Sequence, residues 1–380
     1  MSHVSSLESH GVTRWLALDV HKLSIVAAVL PEDAGEPDLV EIENTERSVR
    51  RLVARLGGPV GLACCYEAGP CGYDLYRLFE QMGVSCEVVA PSLTPVRPGD
   101  RVKTDRRDAR KLVGLFRAGQ LTFCTPPTPE QEGLRDLLRC REDLRRARQN
   151  ARHRVAKQLL RYGRVFREGQ GSWTKAHQAW VRAQRLDDPL AHRAFEHMRA
   201  HLDGLDAQLA ALDHELEDVS RREPWAWAVD RLCCFRGVST HTALGLLGEI
   251  GDFRRFAHPR LLMSFLGLTP TEYSSGTQRH RGHITRAGNQ HARRLLVEAA
   301  WHYRHPPRQS LRIARSAERA GPDPTARAWQ AQIRLHHRHR DLAQHGKRST
   351  VANVAVAREL VGFIWAAMTN QPLRQETTAA

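Results

Sequence analysis

Apolar and polar positions follow two regimes along this chain. Over the first ~120 residues, short apolar runs alternate with stretches of helical spacing, the pattern of an α/β domain. Residues 14–20 (RWLALDV) and 23–30 (LSIVAAVL) read as two strands joined by a tight His-Lys turn, and LVEIEN reads as a third. TERSVRRLVARLG carries a Thr cap and helical spacing and stops at Gly57. VGLACCYE is a fourth strand, YDLYRLFEQMG a helix and SCEVVA a fifth strand. After a Pro-containing loop, TDRRDARKLVGLFRAG reads as a helix closed by Gly119.

The Pro-rich CTPPTPEQ marks a boundary, and the regime then becomes helical. From about Glu130 to Phe166 the pattern is a long Arg-rich helix. Leu202, Leu205, Leu209, Leu212, Leu216 and Val219 recur at 3,4,3,4,3 spacing, a seam of period 3.5 that predicts coiled-coil pairing of two helices, within one chain or between chains. Beyond RREPWAW comes a helix–hairpin–helix-like stretch (CCFRGVSTHTALGLLGEIG) in which Ser239 replaces the usual second turn glycine; an ordinary core hairpin reads equally well. A helix, a polar Gly-rich loop and another helix follow, then a last amphipathic helix, STVANVAVARELVGFIWAAM. The expected domains are 12–124, 130–222 and 226–369, with a disordered tail over 370–380.

Charge changes the picture more than composition does. Lys+Arg 57 against Asp+Glu 42 gives a net charge of +15, mostly through Arg, which suits bidentate phosphate contacts. Nucleic acid is the expected partner. No apolar run approaches the roughly 20 residues that span a bilayer, and no signal-like segment or basic amphipathic anchor is evident, so the expectation is a cytoplasmic protein without a membrane partner. Eight cysteines without a C-x-x-C pair read as reduced, packed thiols. Aromatic residues make up 6% of the chain, too few for a dedicated base-stacking platform. The His-rich stretch RLHHRHRDLAQHGKR reads as a basic surface or exposed helix, because adjacent His336 and His337 share a helical face poorly.

Four acids stand out. Asp19 interrupts an apolar strand, where an ionised carboxylate is costly unless paired or bound to a cation. Glu67 ends the fourth strand, and Asp105 and Asp108 lie three apart on one helix face. In an open sheet such positions converge on one crevice. Gathered there they would repel one another unless divalent cations neutralised them, and hard oxygen donors suit Mg²⁺. Each acid taken alone has a plainer reading: Asp105 beside the Thr104 cap serves the helix dipole, Asp108 pairs with Lys111, and Glu67 is a strand-end residue. A second constellation is TEYSSGTQRHRGHITRAGN, where Ser274 and Ser275 precede Gly276 and a run of basic residues. On its own that is a turn or phosphate-binding loop as readily as a nucleophile.

With LDVHK, YEAGPCGY, VKTDRRDARKL and GLTPTEYSSGTQRHRGHITRAGNQHARRLLVEAAW in view, the chain resembles transposases of the insertion-sequence one-ten type, the Piv/MooV-like DEDD recombinases. The likeness runs from about residue 12 to 369. It implies a RuvC-like N-terminal domain of ribonuclease H fold, a helical coiled-coil middle and a mainly α C-terminal transposase domain. It further implies Asp19, Glu67, Asp105 and Asp108 as Mg²⁺-binding catalytic acids and Ser275 as nucleophile, with Ser274 as the fallback. Arg279, Arg281, Arg286, Asn289, Arg293 and Arg294 are the expected nucleic-acid contacts. The implied activity is DNA strand cleavage and exchange on element ends and target, guided by a structured element-encoded RNA, in a dimer or tetramer whose protomers share catalytic halves. A RuvC-type Holliday-junction resolvase needs the four acids but not the serine. A site-specific invertase is mechanistically close, and a non-catalytic nucleic-acid-binding protein needs neither.

Overall fold

Strand β1 (Arg14–Val20) is an apolar run because it lies inside a sheet covered on both faces. The computed structural model describes residues 11–33, 35–95, 104–169, 171–275 and 278–370. Two compact units divide the chain at Thr128 and Pro129.

The N-terminal unit is a mixed sheet in the order β3-β2-β1-β4-β5-β6. β1, β2 (Ser24–Pro31) and β3 (Asp38–Glu43) form an antiparallel meander; β4 (Leu62–Glu67) and β5 (Ser85–Val89) run parallel to β1; β6 (Phe123–Cys124) returns antiparallel. Together with its helices, this mixed sheet fits a ribonuclease H-like α/β domain. Side chains alternate across the sheet with period two. Leu16, Leu18, Ile25, Cys64, Tyr66 and Val88 face helices α1 (Glu46–Arg55) and α2 (Asp74–Gln81), which add Leu52, Val53 and Phe79. On the other face Ala17, Ala28, Ala63 and Cys65 meet α3 (Asp105–Arg117) through Ala109, Leu112, Val113 and Phe116. The sheet side of this contact is small, and the helix side is Ala109 with the larger Leu112, Val113 and Phe116. Thr45 and Thr104 cap α1 and α3 by accepting from Ser48 and Arg107 amides, as their positions predict.

The C-terminal unit is helical. α4 (Pro129–Arg161) and α6 (Pro189–Ser220) lie antiparallel, with α5 (Lys175–Ala183) near one end. The leucine seam of α6 is buried inside this single chain: Leu202 and Leu205 join Val155 and Leu159 of α4, while Leu212 and Leu216 join Leu134 and Leu138. Arg148 and Arg152 pair with Asp206 at 3.4 and 3.6 Å, so part of the Arg-rich face of α4 is neutralised by α6. Beyond them come α7 (Ala226–Cys233), α8 (Thr240–Ile250), α9 (Pro259–Phe265), a ribbon of β7 (Pro270–Ser275) and β8 (Gln278–Ile284), and then α10 (Gln290–Ala300), α11 (Leu311–Ala320), α12 (Pro322–Gln344) and α13 (Ser349–Thr369).

Three expectations need correction. The polar Gly-rich stretch is mostly an antiparallel β-ribbon, because Thr271, Tyr273 and Ile284 favour strand while charge had suggested a loop. The last helix is not amphipathic: Ala352, Asn353, Val356, Leu360, Phe363, Ile364 and Ala367 are buried around its circumference. It is also long and apolar enough to cross a membrane, contrary to the reading that no run comes near, but 67% of that window is buried within the protein. There Trp365 donates to the Phe256 carbonyl at 2.8 Å and Asn353 to that of Val297 at 2.9 Å. The cysteines are all free, and Cys64, Cys65, Cys86, Cys233 and Cys234 are buried. The expected disordered tail, beyond Asn370, lies outside the described residues.

Gly267 holds the base of the ribbon. Its φ is +63°, and a Cβ there would stand 2.0 Å from the Ala287 carbonyl oxygen. Gly346 has a similar φ of +70° but open space around it. Gly346→Ala is therefore expected to cost about 1 kcal/mol and Gly267→Ala at least about 3 kcal/mol in denaturant unfolding of the full chain. Equal costs would show that backbone conformation alone, not the close approach, makes glycine necessary.

Candidate functional site

Asp19 continues the row of Ala17 on β1, and Glu67 the row of Cys65 on β4, so both belong to the sheet face covered by α3. α3 begins at Asp105 beside its Thr104 cap, and Asp108 follows one turn later. The fold thus brings three elements to one end of the sheet. Asp19 Oδ2 and Asp105 Oδ2 lie 3.4 and 3.5 Å from Nε2 of His21, the residue just past β1. Ligand atoms of Asp19, His21 and Asp105 all fall within 4.8 Å of one another. Asp108 and Glu67 stand outside that trio: Asp108 acts on Asp19 through its charge, and Glu67 accepts a 3.1 Å hydrogen bond from the Thr94 hydroxyl. Asp108 makes no ion pair with Lys111 among the described residues, while Asp105 does sit in the first turn where the helix dipole favours an acid.

Burial raises the Asp19 pKa above its ordinary 3.8, and the negative charges of Asp105 and Asp108 raise it further, against an opposing pull from His21. The Asp19 side chain is 25% exposed, so the cost is that of a half-desolvated carboxylate facing like charges. By sequence pattern His21 is only a turn residue; its signal is its place directly after a strand that carries a half-buried acid near its end.

The serines lie in the other unit. Ser274 and Ser275 close β7, whose register sets Ser275 opposite Gln278 and Ser274 opposite Arg279. Gly276 lies outside the described residues, and for Arg279 and Arg281 the backbone places both in β8. Arg286 is exposed and holds a left-handed φ of 56°, uncommon for a residue with a Cβ. Its amide donates to the Gly267 carbonyl at 3.2 Å, which ties that backbone to the ribbon base.

The other three expected contacts are engaged internally. Asn289 caps α10 by accepting from the Ala292 amide at 2.9 Å and donates to Glu249 Oε2 at 2.7 Å. Arg293 donates to the Leu266 carbonyl at 2.8 Å. Arg294 pairs with Glu298 at 2.9 Å and Glu142 at 3.8 Å. Of the six, Arg286 is the one whose described side chain is exposed with no internal partner. In the helix–hairpin–helix-like stretch, the turn glycine Gly237 closes against the Ala299 backbone, as in a core hairpin. His336 is buried and bonded to the Tyr303 carbonyl, while His337 is exposed, so the two do face apart.

Glu142 anchors this network on α4. Its hydrogen bond to Arg145 brings the carboxyl down to about 2, burial opposes the shift, and Arg294 and Arg146 add to it. α4 is thereby joined by charge to α10.

Family comparison agrees with both halves of the sequence pattern. A DEDD transposase family of the IS110 type matches residues 16–163, and the IS116/IS110/IS902 transposase family matches residues 229–312. The transposase-type protein y4qE of Sinorhizobium fredii is 40% identical over 361 residues, 93% of this chain and 87% of its own. The transposase for insertion sequence element IS1533 of Leptospira borgpetersenii is 31% identical over 341 residues, 88% and 98% of the two chains. The transposase for IS1111A of Coxiella burnetii is 26% identical over 227 residues, 59% and 61%.

Two substitutions test these electrostatics. Because the folded state raises the Asp19 pKa, the stabilisation that comes with protonation is complete below about pH 3.8 and is lost as pH rises through the folded value. Asp19→Asn is expected to raise the melting temperature of the metal-free chain at pH 7 by about 1–3 °C. A fall would mean that Asp19 is held by a net favourable charge contact. Glu142 has the opposite sign: its contribution is present above its ordinary 4.5 and is lost as pH falls through about 2. Glu142→Gln should cost about 1–3 kcal/mol at pH 7, discounted for its exposed partners, and the difference from wild type should shrink in unfolding curves taken toward pH 2.

Proposed function

This chain belongs to the IS110-type transposases, DNA-transposing enzymes of insertion sequences, and from that membership we propose a mechanism for its strand cleavage. Asp19, Glu67, Asp105 and Asp108 hold divalent cations, Mg²⁺ in the cell, and Ser275 is the nucleophile. The observation that carries the metal reading is the gathering of Asp19, His21 and Asp105, whose ligand atoms lie within 4.8 Å of one another; burial first, and the charges of Asp105 and Asp108 after it, raise the Asp19 pKa. Such a donor set fits a hard divalent cation, since carboxylate oxygens both ligate it and lose their repulsion on binding. A bound cation would supply charge neutralisation at the phosphate oxygens in the transition state.

The chain's own groups do the rest. The Ser275 hydroxyl oxygen forms a bond to the scissile phosphorus and releases its proton, while one phosphorus–oxygen bond to deoxyribose breaks and the departing oxygen takes up a proton. The phosphoserine ester conserves the bond energy, so that a hydroxyl from another strand end displaces serine and reforms a phosphodiester. Exposed Arg286, with Arg279 and Arg281 on β8, binds the nucleic-acid backbone; Asn289, Arg293 and Arg294 position these elements from within. A structured RNA from the element selects the sites, which suits a basic chain in which no separate base-reading module stands out. The α4–α6 pair, with its 3.5-residue seam, acts as a short intramolecular coiled coil in an assembly of more than one protomer.

A recombination assay on the ends flanking the reading frame, with and without transcripts of the adjoining non-coding DNA, tests this reading. Wild type with Mg²⁺ should yield joined products and a covalent protein–DNA adduct. Ser275→Ala should abolish the adduct and lower product at least about 10³-fold, and Asp105→Ala should do the same. Cleavage unchanged in Ser275→Ala would overturn the serine mechanism and leave a resolvase-type nuclease. Full activity in chelator would remove the metal.

A further inference from the structure

We propose that His21 binds the metal directly, making the acidic centre a mixed nitrogen–oxygen site. The inference rests on the carboxylate-metal reading above and adds a ligand to it. His21 Nε2 lies 3.4 Å from Asp19 Oδ2 and 3.5 Å from Asp105 Oδ2, nearly equidistant from both. Neighbouring ligands on an octahedral ion with bonds of about 2.1 Å stand about 3 Å apart, so the ring nitrogen needs to move by only a few tenths of an ångström.

The backbone beneath the ring is pinned on both sides. The His21 amide donates to the Ser24 carbonyl at 2.9 Å, and the His21 carbonyl accepts from Asn44 Nδ2 at 2.8 Å. Asn44 is itself tied, its amide donating to the Leu23 carbonyl at 3.0 Å. The turn between β1 and β2 is thus held from the β3–α1 junction, and only the histidine side-chain torsions remain to be ordered on binding. That preorganisation favours a ligand over a freely moving surface imidazole. Asn44 is a positioning residue in this scheme.

Imidazole nitrogen is a softer donor than carboxylate and favours Mn²⁺ over Mg²⁺ relative to an all-oxygen site. An imidazolium acting only as a counter-ion between two acids would be displaced by the metal and never bond to it. These alternatives differ in what the nitrogen does when metal arrives.

Pulsed electron paramagnetic resonance of Mn²⁺ on the full-length protein separates them. The wild-type spectrum should show coupling to a directly bound ¹⁴N. In His21→Ala that coupling should vanish, with Mn²⁺ affinity by calorimetry falling about tenfold and Mg²⁺ affinity less than about threefold. Asn44→Ala should keep the nitrogen coupling and weaken Mn²⁺ about threefold. Mn²⁺ bound without nitrogen coupling in wild type, or coupling that persists in His21→Ala through another of the 20 histidines, would overturn the proposal and leave the carboxylate reading intact. No Mn²⁺ bound by wild type, with Asp105→Ala indistinguishable from it, would overturn both. Since His21 is half-exposed in a turn, His21→Ala should melt within about 2 °C of wild type, which keeps the loss of signal assignable to the ligand.

Discussion

The N-terminal unit is organised around an unfavourable interaction: a carboxylate half-desolvated at the end of its first strand, facing the acids of a helix start. Charge repulsion of this kind is tolerated only where packing around it is strong enough to hold it. Here β1 lies in the interior of the sheet, bonded to β2 on one side and β4 on the other, so Asp19 cannot swing away without breaking a central ladder. The folded state carries this cost, set first by burial and then by the neighbouring acids, with His21 offsetting part of it.

That constraint explains the sequence of the helix opposite. Ala109 packs where α3 crosses Ala17, Ala28 and Ala63, and larger residues would lift the helix and pull Asp105 and Asp108 off the sheet end. Thr104 sets where the helix begins, and so which residues lie in its first turn, where the helix dipole offsets part of the negative charge. Size and capping, neither of them chemical groups of the site, decide where its charges stand.

The C-terminal unit handles charge in the opposite way. Two of its least exposed acids are satisfied: Glu142 by Arg145, Arg146 and Arg294, and Glu249 by Asn289 and Arg139. These pairs join α4, α8 and α10, and the arginines in them are structural rather than free for nucleic acid. Each is matched by an acid already counted in the net charge of +15, so the excess itself resides on other residues. The apolar helix α13, which could pass for a membrane span by composition, is the centre of this unit's core.

Strand and helix positions in the first ~120 residues were legible because burial on both faces leaves continuous apolar runs, and caps and glycines mark helix ends. The order of acids, strand then strand end then helix start, was legible too, as was the family they resemble. The roles of the arginines were not. Arg286, Arg293 and Arg294 look alike as letters, yet one is exposed in a left-handed turn while the others are spent on a carbonyl and on two carboxylates. The ribbon was hidden by its charge and α13 by its helical period, since neither signal says what packs on the other side. His21 joins the acids only through a turn fixed by Asn44, which is remote from Asp105 in the chain. Local pattern determined the elements and the inventory of chemical groups; which groups meet, and which are already taken, depends on contacts between distant segments and was decided by the tertiary structure alone.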